Sequence, residues 1–114
     1  TPSRFFLKRV QVLRDNGDTS PSAFGLRQNA PNPFNPSTTI YYDVPAGGGE
    51  ISLKIYDGAG RLVKTLVNGH ETAGAKEVNW NGINDQGQSM ASGIYFYRMT
   101  APGFSEMKKM VLLR

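Results

Sequence analysis

Ile51-Ser52-Leu53-Lys54-Ile55-Tyr56-Asp57-Gly58-Ala59-Gly60-Arg61-Leu62-Val63-Lys64-Thr65-Leu66-Val67 places two β-prone runs on either side of a turn-forming Asp57-Gly58-Ala59-Gly60. Ile51, Leu53 and Ile55 alternate with polar residues before the turn, which is the period of a half-buried strand and not that of a helix. The stretch is therefore read as a β-hairpin. Working outward, Ile40, Tyr42 and Val44 alternate upstream and stop at Pro45-Ala46-Gly47-Gly48-Gly49. Downstream, Asn68-Gly69 ends the hairpin, Ala73-Gly74 opens another strand, and Lys76-Glu77-Val78-Asn79-Trp80 carries it to the turn-rich Asn81-Gly82-Ile83-Asn84-Asp85-Gln86-Gly87-Gln88. Ser92-Gly93 then introduces Ile94-Tyr95-Phe96-Tyr97-Arg98-Met99, and Pro102-Gly103 turns the chain into a last strand.

Strands thus begin near residues 39, 50, 61, 75, 93 and 104, close to the spacing of about 8–12 residues found in β-sandwiches. The predicted fold class is all-β: an immunoglobulin-like antiparallel β-sandwich of about seven strands with little or no helix. Tyr56, Trp80, Phe96 and one of Tyr95 and Tyr97 are its expected aromatic core. Packing is the better reading of these rings than sugar stacking, which needs a row of exposed aromatics on one sheet face.

Ahead of the hairpin, Ala30-Pro31-Asn32-Pro33-Phe34-Asn35-Pro36-Ser37-Thr38 holds three prolines that fix φ and exclude a helix. Phe34 is expected to plug the end of the core while the prolines stiffen the loop. A polyproline ligand is the less favoured alternative, because of the intervening Asn residues. Residues 1–14 alternate as a strand with no hairpin partner close behind and are read as the last strand of a preceding domain. Residues 15–23 form a polar, Gly/Pro/Ser-bearing linker, and residues 24–114 form the sandwich.

The chain has 114 residues, a formal net charge of +4 and no cysteine. That length supports one core without staples, and the missing cysteines remove disulfides, thiolate metal sites and thiol nucleophiles. The basic residues are scattered rather than striped, so nucleic acid is not an expected partner. With no initiator Met and no apolar run long enough to span a bilayer, the sequence reads as a soluble fragment of something longer.

An enzyme is not expected. The one histidine, His70, lies in a Gly69-His70-Glu71 turn, and there is no Gly-x-Ser-x-Gly elbow and no Walker-type phosphate loop. No cofactor is expected either. The nearest approach to a metal site is Asn81, Asn84 and Asp85, weak calcium candidates with a single carboxylate, for which tight turns are the stronger reading. Asp43 and Asp57 would join them only if the fold brought them close.

The last stretch, Met107-Lys108-Lys109-Met110-Val111-Leu112-Leu113-Arg114, divides by twos. Met107, Lys109, Val111 and Leu113 lie on one side of a strand, and Lys108, Met110, Leu112 and Arg114 on the other. Neither side is purely apolar, which suggests an edge strand or one that faces a partner.

Leu26-Arg27-Gln28-Asn29-Ala30-Pro31-Asn32-Pro33-Phe34-Asn35-Pro36-Ser37-Thr38-Thr39-Ile40, with Ile55-Tyr56-Asp57-Gly58-Ala59-Gly60-Arg61, Ala73-Gly74, Trp80-Asn81-Gly82 and Ser92-Gly93-Ile94-Tyr95-Phe96-Tyr97-Arg98, resembles the C-terminal sorting domain of type IX secretion cargo over residues 24–114. It is also similar, from Ile55 to Arg98, to the immunoglobulin-like domain of flagellar hook-capping proteins. The first resemblance implies a non-catalytic secretion signal that follows a cargo domain on its N-terminal side. Such a signal passes through the periplasm to the cell surface or beyond, and its partners are the outer-membrane translocon, shuttle proteins and a surface sortase.

Carried over residue by residue, recognition falls on Lys109, Met110, Val111, Leu112, Leu113 and Arg114. Cleavage falls within residues 15–24, at Asp15, Asn16, Gly17, Asp18, Thr19, Ser20 or shortly after. Ala30 stands where the family often has an aromatic, and Asn81 where it often has Asp. A terminal strand of this kind can be donated to a receptor by strand addition, with alternate side chains entering pockets. The competing reading is a structural accessory module, a stalk or scaffold that self-associates through its edge strands. It expects the terminal strand to be buried within the domain.

Overall fold

The computed structural model describes residues 19–114. Seven strands form two antiparallel sheets: β1 (Gly25–Leu26), β2 (Thr38–Val44) and β5 (Gly74–Trp80) in the order β1-β2-β5, and β3 (Gly49–Asp57), β4 (Leu62–Glu71), β6 (Gly93–Ala101) and β7 (Phe104–Leu112) in the order β4-β3-β6-β7. There is no helix among the described residues, hence none that could cross a membrane. The strand expected in residues 1–14 lies outside the described residues.

Each inner face follows from period-two patterning. Ile40, Tyr42 and Val44 of β2 face Ile51, Leu53 and Ile55 of β3, Tyr95, Tyr97 and Met99 of β6, and Met110 and Leu112 of β7, all of them buried. Trp80 closes one end of this core, with its ring centroid 5.7 Å from Phe34 and 5.4 Å from Tyr95, and its indole N–H donates to the Ile83 carbonyl at 2.9 Å. Phe34 is buried there as the plug the proline loop was expected to supply.

The β3–β4 turn is built by Asp57. Its carboxylate accepts the backbone N–H groups of Ala59 and Arg61, both at 2.9 Å, and Gly60 takes the positive φ of 85° that a side chain would resist. These bonds, led by the one from the Arg61 N–H, hold the Asp57 carboxyl below its ordinary range.

Three expectations are corrected, the first being that one of Tyr95 and Tyr97 is in the core: two residues apart on β6, they share a face and both are buried. Tyr56 and Phe96 are not core residues, because Ile55 on one strand and Tyr95 and Tyr97 on the other fix the inward parity; both rings lie half-buried on the outer face, directly opposite one another. Nor does β4 end at Asn68-Gly69. Pairing continues through Ile51↔Gly69, Glu50↔His70 and Gly49↔Glu71, so His70 is an exposed strand residue 4.0 Å from Glu50 rather than a turn residue.

Candidate functional site

The last strand is fully engaged in its own sheet. β7 pairs with β6 from Ala101↔Phe104 to Gly93↔Leu112, and Met110 and Leu112 are completely buried. It is the edge strand that the mixed patterning suggested, and its free edge is covered over the second half of its length. Val111 N–H donates to the Asn32 side-chain carbonyl at 2.9 Å, Val111 C=O accepts from Phe34 N–H at 3.0 Å, and Leu113 N–H donates to Phe34 C=O at 2.9 Å. Gln28 adds a side-chain N–H bond to the Lys109 carbonyl at 2.9 Å. The proline loop is thus a strap laid parallel to β7.

Buried polar groups hold that strap to the sandwich. Tyr97 O–H donates to the Arg27 carbonyl at 2.7 Å and accepts the Asn29 backbone N–H at 2.8 Å. Burial pushes its phenol up to about 12, against a smaller opposing effect of the Asn29 bond. Asn29 donates to Thr38 Oγ1 at 2.9 Å, and that hydroxyl donates to the Pro31 carbonyl at 2.9 Å. Sequence reasoning missed this network, since nothing in the local pattern around Asn29 and Thr38 tells that both are buried.

The six residues assigned to recognition therefore do not share one surface. Met110 and Leu112 point into the core, while Lys109, half-buried Val111 and Leu113 (51% exposed) lie on the opposite face. Arg114 is tied down by its side chain to the carbonyls of Gly82 (2.8 Å) and Met90 (2.6 Å), and by its N–H to the Ser92 hydroxyl at 2.8 Å. Of the residues assigned to cleavage, Asp15, Asn16, Gly17 and Asp18 lie outside the described residues; Thr19 is exposed and Ser20 partly so.

Of the calcium candidates, Asn84 and Asp85 serve the turn, while Asn81 is exposed beside it. Asn84 Oδ1 accepts the N–H groups of Gln86 (3.0 Å) and Gln88 (2.8 Å), and its amide donates to the Gln88 side chain. Asp85 caps the β4 edge: its N–H donates to Val63 C=O at 3.0 Å, its carboxylate accepts Thr65 N–H at 3.4 Å, and Lys64 lies 3.8 Å away. Asp43 pairs with Arg27 and Asp57 with Arg61, so neither joins Asn81, Asn84 and Asp85. Among the described residues no three His, Cys, Asp or Glu side chains gather in one place.

The sequence model of the FlgD Ig-like domain matches residues 35–103. The chain belongs to the FlgD Ig-like domain family. Among curated proteins none matches it. The solved structures similar to this FlgD Ig-like domain include dimeric latent PorU from Porphyromonas gingivalis, at 24% identity and a TM-score of 0.66 over 90% of this chain and 10% of PorU. They also include PorZ from the same organism, described as an essential surface component of its type IX secretion system, at 28% identity and a TM-score of 0.56 over 79% of this chain and 12% of PorZ. The chain thus spans about a tenth of either protein's length, and the likeness to PorU shows the fold alone.

Proposed function

We propose that this FlgD Ig-like domain is a non-catalytic sorting module that directs a larger cargo protein through a type IX outer-membrane translocon to the cell surface, and that it is read as a folded sandwich rather than as a released strand. The likeness to a domain-sized piece of PorZ supports the type IX setting. The observation that carries the folded-state reading is the burial of Met110 and Leu112. Releasing β7 would expose both side chains, at about 1.5–3 kcal/mol each, and would strip the bonds to Asn32 and Phe34. A receptor gains more from groups already presented, of which Leu113 is the largest apolar one at this end. In this reading shuttle proteins and a surface sortase also meet the folded domain.

A second reading, a structural accessory module, is favoured by the anchoring of Arg114 to Gly82, Met90 and Ser92. The two separate on one substitution. The whole chain is fused behind a periplasm-targeted fluorescent protein in a type IX-competent bacterium, beside the same fusion carrying Leu113→Asp. Loss of export with an unchanged melting transition supports the sorting module. Export of neither fusion hands the domain to the accessory-module reading, and unchanged export of the Leu113→Asp fusion keeps the sorting role but overturns recognition at Leu113.

A further inference from the structure

The outer face of the four-stranded sheet carries three cations without a partner acid. Lys54 of β3 and Arg98 of β6 are directly opposite one another, and Lys109 of β7 lies opposite Phe96. None of the three has an ion pair among the described residues. Glu50, the acid of this face, lies further along β3 opposite His70. Like charges directly across a strand pair work against the sheet, so the sequence gives up stability here.

The same face holds an open groove of about 370 Å³ lined by Tyr56, Phe96, Arg98, Met107 and the Gly58–Gly60 turn. Met107 is 46% exposed, and Ile94, 48% exposed, extends the apolar area. Beside the groove the strap does not reach. Because Val111 turns its N–H and C=O away from β6, the alternation of the antiparallel ladder turns those of Ser105 and Met107 outward too. No hydrogen bond from the described residues meets them.

We infer that the free first half of β7 and the adjoining cationic, aromatic face form a docking site for an acidic extended peptide segment of a partner protein. The segment adds as a strand along Ser105 and Met107, with carboxylates on its groove-side face reaching Lys109 and Arg98, Lys54 acting on them only through its place opposite Arg98, and an apolar side chain from the same face entering the groove beside Met107. Uncovered backbone groups at β7 favour a polypeptide over an anionic polysaccharide, which has no use for a strand edge. The inference stands apart from the export reading and needs no translocon.

The test uses the whole chain and a fluorescent peptide of about seven residues whose alternate positions read glutamate, valine, glutamate with threonine between them, so that acid and apolar side chains share the face over the groove, followed by anisotropy and by amide chemical shifts. Binding should shift the Ser105 and Met107 amides and weaken between about 0.05 and 0.2 M salt. Lys54→Glu places an acid opposite Arg98. It should raise the melting temperature while weakening the peptide by about tenfold or more. Met107→Pro removes one outward donor at a position that does not bond to β6, and should weaken binding with little loss of fold.

Dextran sulfate distinguishes a plain polyanion surface. If it binds as tightly as the peptide, and Met107→Pro leaves peptide binding unchanged, the strand-docking site is overturned. Absence of peptide binding at millimolar concentration overturns it as well, as does Lys54→Glu with unaltered affinity.

Discussion

Deleting Met110, Val111, Leu112, Leu113 and Arg114 should abolish cooperative folding, and the size of the effect follows from what those residues touch. Met110 and Leu112 are fully buried, and truncating a buried aliphatic side chain costs about 2–5 kcal/mol, so the pair accounts for about 4–10 kcal/mol. The deletion also strips Phe34 and Asn32 of their partners on Val111 and Leu113, and Gly82 and Met90 of their partner on Arg114. A domain of this size has about 5–15 kcal/mol in total. The two side chains thus remove most of that margin, and the lost hydrogen bonds take the rest.

Trp80 is the chain's one tryptophan and packs on Phe34, whose position depends on β7, so its fluorescence is a direct probe. The deleted chain should show solvent-exposed Trp80 emission and no sigmoidal urea or thermal transition. Leu113→Ser, on the exposed side of the same strand, should stay within about 0.5 kcal/mol of the parent. A deleted chain that melts cooperatively within a few degrees of the parent, with native Trp80 emission, would falsify the assignment of β7 to the core.

Two further outcomes follow from the strap and the anchored end. Tyr97→Phe leaves the Arg27 carbonyl and the Asn29 N–H unpaired next to the core, and urea melts at neutral pH should show a loss of about 1–3 kcal/mol. Because the Tyr97 phenol rises from 10.0 to about 12 on folding, the unfolded chain loses its proton first as pH rises. This contribution is therefore complete below the unfolded value, decays between the two values at up to about 1.4 kcal/mol per pH unit and is gone above the folded one. The Phe variant should show a shallower alkaline decline, and equal slopes would refute the link. Gly82→Ala puts a side chain at φ 75° with its Cβ 2.6 Å from the Arg114 guanidinium. It should cost about 1–2 kcal/mol from the backbone alone, and equilibrium urea melts that show no loss would mean that the Gly82–Arg114 contact does not hold in solution.

The strand map was legible because this chain punctuates itself. Strands expected near 39, 50, 61, 75, 93 and 104 begin at Thr38, Gly49, Leu62, Gly74, Gly93 and Phe104, each start marked by Gly, Pro or Asx chemistry. Parity within strands is legible too, and it overrides aromatic character: once Ile51, Leu53 and Ile55 face inward, Tyr56 must face outward, and Phe96 follows from Tyr95 and Tyr97. The extension of β4 past Gly69 was not legible, because it rests on pairing with Gly49 and Glu50 across the hairpin. The candidate site fared less well for a related reason. A motif gives six consecutive residues, whereas a strand divides them between core and surface. The roles of Gln28, Asn29 and Asp85 as edge and strap partners depend on residues up to 81 positions away, which no local pattern encodes.

That separation bears on how the domain comes into being. The strap meets β7 through Gln28 to Lys109 and Asn32 to Val111, contacts 81 and 79 residues apart, and such pairings place a polypeptide among the slow folders of high contact order. During synthesis the strap emerges early and waits, with Phe34 lacking Val111 and Leu113, until β7 has been made. For that interval the half-built sandwich exposes sheet edges and apolar side chains, the condition in which chains aggregate or are taken up by chaperones. A cell that must keep this domain unfolded need only act before its last strand arrives.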